Sequence, residues 1–146
     1  MISFEMKSSL KAYTGWATPH FKEGDLFVTA SVIGIRNVSK YAQSICKKLE
    51  DKVVKRRGPE KIVRYVVHVP SPSYPHLHMM FQNCAYVNQS TNIFSFEEQI
   101  KKEFGRHSKE VHVARITTGS APVNTYNFEK QGGIEVLLNA TYLPRL

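Results

Sequence analysis

An α+β fold, with a central antiparallel β-sheet of about five strands flanked by helices, is what this sequence predicts. Three observations lead there. Short β-branched runs bounded by glycine or proline recur along the chain. Three further stretches read as helices, the first with apolar residues every three to four positions. The connection between the two middle strands is too short for a parallel crossover. The 146 residues suit one domain with a real hydrophobic core, and no internal repeat or low-complexity tract divides them.

Residues 1–24 scatter the aromatics Phe4, Tyr13, Trp16 and Phe21 without a clean period. They read as irregular, with at most a short edge strand, and close on the turn signal Glu23-Gly24-Asp25. Leu26 to Ile33, β-branched between Gly24 and Gly34, predicts a central strand. From Ser39 to about Arg57 the apolar positions Tyr41, Ala42, Ile45, Leu49 and Val53 alternate with lysines, which predicts a helix. Ser39 is its expected cap and Gly58-Pro59 its stop. Lys61 to Val69 predicts a second strand, and Pro70-Ser71-Pro72-Ser73 a turn. A third strand from Pro75 to Asn83 then pairs antiparallel with the second. Ser95 to Phe104 reads as a short helix ended by Gly105, with Ser95 and Glu98 at capping-box spacing. Glu110 to Thr117 alternates as a strand, with Val111 and Val113 on one face and His112, Ala114 and Ile116 on the other. The run Ile134 to Tyr142, after Gly132-Gly133 and before Pro144, reads as a last helix.

Lysine and arginine number 20 against 12 acidic residues, giving a net charge of +8 and a pI near 9.6. Such a balance fits a polyanionic partner, nucleic acid first and an anionic membrane surface second. A protein that is merely soluble and basic is the alternative. Lys52, Lys55, Arg56 and Arg57 at the end of the first helix, with Arg64 on the next strand, are the candidate phosphate contacts. A solvated helix face explains the same run equally well. The lone tryptophan and seven tyrosines fit either base stacking or a core. Cys46 and Cys84 make neither a disulfide framework nor a CxxC knuckle, so both are expected as reduced thiols. No apolar run has signal-peptide or membrane-spanning length, and the expectation is a soluble cytoplasmic protein with no membrane partner.

The chemistry centres on Tyr74-Pro75-His76-Leu77-His78-Met79-Met80-Phe81. Histidines two apart on a strand share a face and can hold one metal ion. His68 on the preceding strand is expected beside them, which makes three imidazoles with open positions for substrate oxygens. A His-x-His pair also arises by chance, and ordinary hydrogen-bonded histidines are the competing explanation. His20, His107 and His112 have no partners at ligand spacing and read as surface or structural. Two tyrosines are candidate nucleophiles once a nearby cation stabilises the phenolate. Tyr142 is followed three residues on by Arg145, and Tyr126 four residues on by Lys130. Local pattern alone allows either to be structural.

The order of Phe27-Val28-Thr29, then His76-Leu77-His78, then Tyr142-Leu143-Pro144-Arg145 resembles the motif order of the HUH endonucleases, and among them the rolling-circle replication initiators of plasmids and viruses. The His-hydrophobic-His motif matches in full. Arg145 stands where that family has lysine, and Pro144 falls inside the segment. The resemblance implies an HUH/RRM-like sheet and Mn²⁺ or Mg²⁺ held by His76, His78 and a third ligand, for which His68 is the candidate. It implies a nicking and joining activity on single-stranded or hairpin origin DNA, through a 5′-phosphotyrosine formed by Tyr142, with Tyr126 as the alternative. Host replication machinery would then be a partner, in the cytoplasm or, for a eukaryotic virus, the host-cell nucleus. Residues 1–146 would be one nuclease domain, complete or the N-terminal portion of a longer initiator. Relaxases and single-strand transposases share the motif. A non-catalytic nucleic-acid-binding module and an unrelated metal-dependent phosphoesterase are the other classes carried.

Overall fold

A computed structural model describes residues 17–53, 61–84, 95–117 and 134–144. After a 3₁₀ turn at Thr18–His20 come β1 (Leu26–Ser31), α1 (Val38–Val53), β2 (Arg64–Val69), β3 (His76–Phe81), α2 (Phe96–Gly105), β4 (Val111–Arg115) and β5 (Glu135–Val136). The strands form one sheet in the order β4-β1-β3-β2-β5, every neighbouring pair antiparallel. This is the α+β architecture the sequence predicts.

The pleat divides the sheet into two unlike faces. Leu26, Val28, Ala30, Val66, Leu77, Met79 and Phe81 pack on one side against Ala42, Ile45, Cys46 and Leu49 of α1 and Phe96, Ile100 and Phe104 of α2. Fully burying each large side chain of this layer contributes about 1.5–3 kcal/mol. The other side carries Tyr65, Val67, Val69 and Met80, covered by Ala17, Phe21, Ile116 and Ile134. Neither α-helix packs there. His76 and His78 stand on this second face, in line with Val69 and Val67 of β2 and with Ser31 and Thr29 of β1.

Three local expectations differ from the structure. Ser39 lies inside α1, and its hydroxyl donates to Asn139 Oδ1 at 2.5 Å. The free first-turn N–H of Lys40 is instead met by Asn37 Oδ1 at 3.0 Å, so asparagine does the capping. Ser95 does precede α2, but its side chain makes no cap bond and its carbonyl takes the first helical N–H groups. The run from Ile134 is not a helix. Glu135 and Val136 pair with His68 and Val67 at the sheet edge, then a turn leads to an antiparallel bridge between Tyr142 and Arg64. Val136 enters one core and Leu137 the other. That alternation suits a strand joined to the open edge of β2, and ladder bonds such as Leu137 N–H to Val66 O, 2.9 Å, outweigh the helical pattern.

No helix among the described residues is long and apolar enough to cross a membrane.

Candidate metal and nucleic-acid site

β3 supplies the site. Pro75 sets its entry, with its carbonyl accepting from Val32 N–H at 3.1 Å, and the two-residue period then delivers His76 and His78 to the face left free by the α-helices. Their Nε2 atoms lie 3.0 Å apart. Two nitrogens bound at right angles to one ion, each about 2.1 Å away, would be about 3.0 Å apart. Without an ion between them, the same spacing is that of a hydrogen bond.

The Tyr74 carbonyl fixes which nitrogen of His76 carries the proton. His76 Nδ1 faces Tyr74 O at 2.7 Å, and a carbonyl can only accept, so Nδ1 donates and Nε2 presents a lone pair. A proton on His78 Nε2 would donate to that lone pair, and His78 Nδ1 faces Thr29 Oγ1 at 3.1 Å. A threonine hydroxyl can donate or accept. Moving the His78 proton to Nδ1 would therefore leave both Nε2 atoms bare without breaking the Thr29 bond, which is the arrangement metal-ligating histidines adopt. Burial first, and then the charge of His76, push the His78 imidazole down to about 4. It is neutral at physiological pH, as a ligand must be.

Aromatic rings box in the pair. Tyr74 stacks on His76 with ring centroids 5.0 Å apart and planes 28° apart, and Phe27 lies 5.0 Å from His78. The Tyr74 hydroxyl donates to Glu110 Oε2 at 3.1 Å. His112, on β4, is opposite Thr29 and so shares the histidine face, exposed.

His68 is not part of this group. It pairs with Leu77 across the β2–β3 ladder, and directly opposed residues share a face, so its ring is on the helix side of the sheet. There it meets Glu135, Nδ1 to Oε2 3.5 Å. Among the described residues no three His, Cys, Asp or Glu side chains converge on one point. The imidazole pair fits a divalent cation, whereas the ligand expected from β2 does not.

Tyr142 also lies away from the histidines. Its bridge to Arg64 puts it on the helix face, three residues along β2 from the position opposite His78, or about 10 Å. Its ring lies under Lys61 Nζ, 5.4 Å from the centroid. Arg64 is buried and is no phosphate contact. Its guanidinium bonds Glu50 of α1, Ala140 O and Ile62 O. Lys52 reaches Glu103 Oε2 at 2.7 Å, joining α1 to α2. Burial opposes the Glu103 charge, but Lys52, with Lys48 and Arg106, more than offsets it and holds the carboxyl below its usual range. Tyr126, Lys55, Arg56, Arg57 and Arg145 lie outside the described residues.

Sequence reasoning missed Glu110 and set His112 aside. Period-two counting on β4 puts both on the side of Ile116, but only the register with β1 reveals that this is the histidine side.

No protein-family model matches the chain, and no curated protein or solved structure matches it either.

Proposed function

We propose that this chain is a metal-dependent, site-specific single-strand DNA nicking and joining enzyme of the HUH type, acting at a plasmid or viral replication origin. The observation that carries the reading is the convergence of His76 and His78 Nε2, 3.0 Å apart on the sheet face without an α-helix. A net charge of +8 favours an anionic nucleic-acid partner. A Mn²⁺ or Mg²⁺ ion bound there would polarise the scissile phosphate and offset charge developing on it.

Of the two candidate nucleophiles we take Tyr126, because Tyr142 bridges Arg64 on the helix face of the sheet. In the reaction the tyrosine oxygen forms a bond to phosphorus as the bond to the 3′-oxygen breaks. The phenolic proton is lost to a base, and the departing oxygen takes a proton to become a 3′-hydroxyl. That hydroxyl can prime a host polymerase or, in reverse, attack the phosphotyrosine and rejoin the strand.

The test is incubation with a labelled, hairpin-bearing single-stranded oligonucleotide and Mn²⁺. A protein–DNA adduct that survives denaturation supports the reading, and its absence across origin-like sequences overturns it. DNA affinity that persists in His76→Ala and His78→Ala, without any cleavage by the native protein, would instead identify a binding module.

A further inference from the structure

We infer that Glu110, acting through Tyr74, is a positioning residue that holds His76 in the one orientation that turns its Nε2 toward His78. The inference rests on the reading of the histidine pair as a cation site only for its effect on metal affinity.

Tyr74 touches His76 twice. Its carbonyl takes the Nδ1 proton at 2.7 Å, and its ring stacks on the imidazole at 5.0 Å. Whatever fixes Tyr74 therefore fixes both the tautomer and the tilt of His76. Pro75 restrains the backbone on one side of Tyr74. The side chain is tethered by its hydroxyl donating to Glu110 Oε2, 3.1 Å.

Glu110 is itself anchored. Its N–H donates to Ser31 Oγ and its carbonyl accepts from Ser31 N–H, each at 3.0 Å. Ser31 is the β1 residue directly opposite His76. The path Ser31, Glu110, Tyr74, His76 thus closes a ring across β4, β1 and β3. It joins the site to a strand far away in sequence from the histidines.

A carboxylate at the surface that merely decorates the fold would leave the imidazole unchanged when removed. Imidazole ¹⁵N shifts in the metal-free full chain read the His76 tautomer directly. The native protein should show a single form, protonated on Nδ1. Tyr74→Phe, which keeps the ring, and Glu110→Ala should each give a mixture of tautomers, and the double variant should show no more mixing than either single one. Calorimetric titration with Mn²⁺ should follow, each variant weakening binding about three- to tenfold, less than the 10–100-fold typical of a group bonded directly to a metal ligand. Unchanged shifts in both variants, with native melting curves, overturn the inference. So does a loss of Mn²⁺ affinity in Glu110→Ala that Tyr74→Phe does not share, because Glu110 would then act on the ion itself. If the native chain binds no Mn²⁺, the cation-site reading falls while the ¹⁵N shifts still decide the role of Glu110.

Discussion

Acidifying the protein from pH 7 to about 5 should destabilise it through His78 by about 2 kcal/mol. The folded imidazole takes up its proton only near 4, against an ordinary value of 6.5. Above 6.5 both folded and unfolded chains hold it neutral, and the group adds no pH dependence. Below 6.5 the unfolded chain gains a proton that the fold refuses, so stability falls progressively until the pH reaches about 4. The full gap corresponds to about 3 kcal/mol at 1.36 kcal/mol per pKa unit, of which about 2 kcal/mol is spent by pH 5. The cause is local: His78 sits against Phe27 and His76, and burial disfavours the imidazolium. Thermal unfolding followed by circular dichroism measures it, comparing the native chain with His78→Gln at matched ionic strength. For 146 residues the native midpoint should drop about 4–8 °C more than that of the variant over this window. Ordinary carboxylates titrate near 4 and contribute little above pH 5. Equal drops in the two proteins would refute the reasoning, because the other titrating groups are common to both.

Metal binding should separate the three histidines: Mn²⁺ titration is expected to lose most of its heat in His76→Ala and in His78→Ala, and to be unchanged in His68→Ala, whose ring faces Glu135. A loss with His68→Ala would contradict the sheet register. Denaturing gels should show the DNA adduct persisting in Tyr142→Phe and disappearing in Tyr126→Phe; the reverse would restore Tyr142 as nucleophile. Arg64→Ala should cost about 3–5 kcal/mol in urea unfolding, since it leaves Glu50 without its buried cation. A variant that folded normally and lost only DNA affinity would return Arg64 to the nucleic-acid interface.

The sheet was legible because its strands announce themselves separately. β1 and β3 are β-branched or apolar runs with sharp breakers, and β4 alternates cleanly between Val111 or Val113 and His112 or Ala114. The C-terminal run was not. Ile134, Val136, Leu137 and Ala140 satisfy a helical stripe as well as a short edge strand, and a run of that length carries no periodicity that separates the two. What decides it is the unpaired edge of β2, which no local pattern contains.

The same physics explains why the sequence puts His76 and His78 on one face, as the structure does, but does not reveal the face of His68. Within β3 the relation of His76 to His78 is fixed by the pleat and needs no partner. The relation of His68 to them depends on register, where a slip of one residue exchanges the faces of a whole strand. A half-buried strand advertises its inner face by alternation. β2 is buried on both sides, with Tyr65, Val66, Val67 and Val69 all inaccessible, so its sequence reads as a continuous apolar run and hides the parity of His68. Pairing begins with Val69 opposite His76 across the turn. That offset sends His68 to Glu135, where it helps hold β5 against the sheet edge. If the His76 and His78 pair holds a cation, as proposed, a third ligand would have to reach the histidine face from elsewhere than β2's own histidine. On that face β4 presents His112, opposite Thr29 of β1.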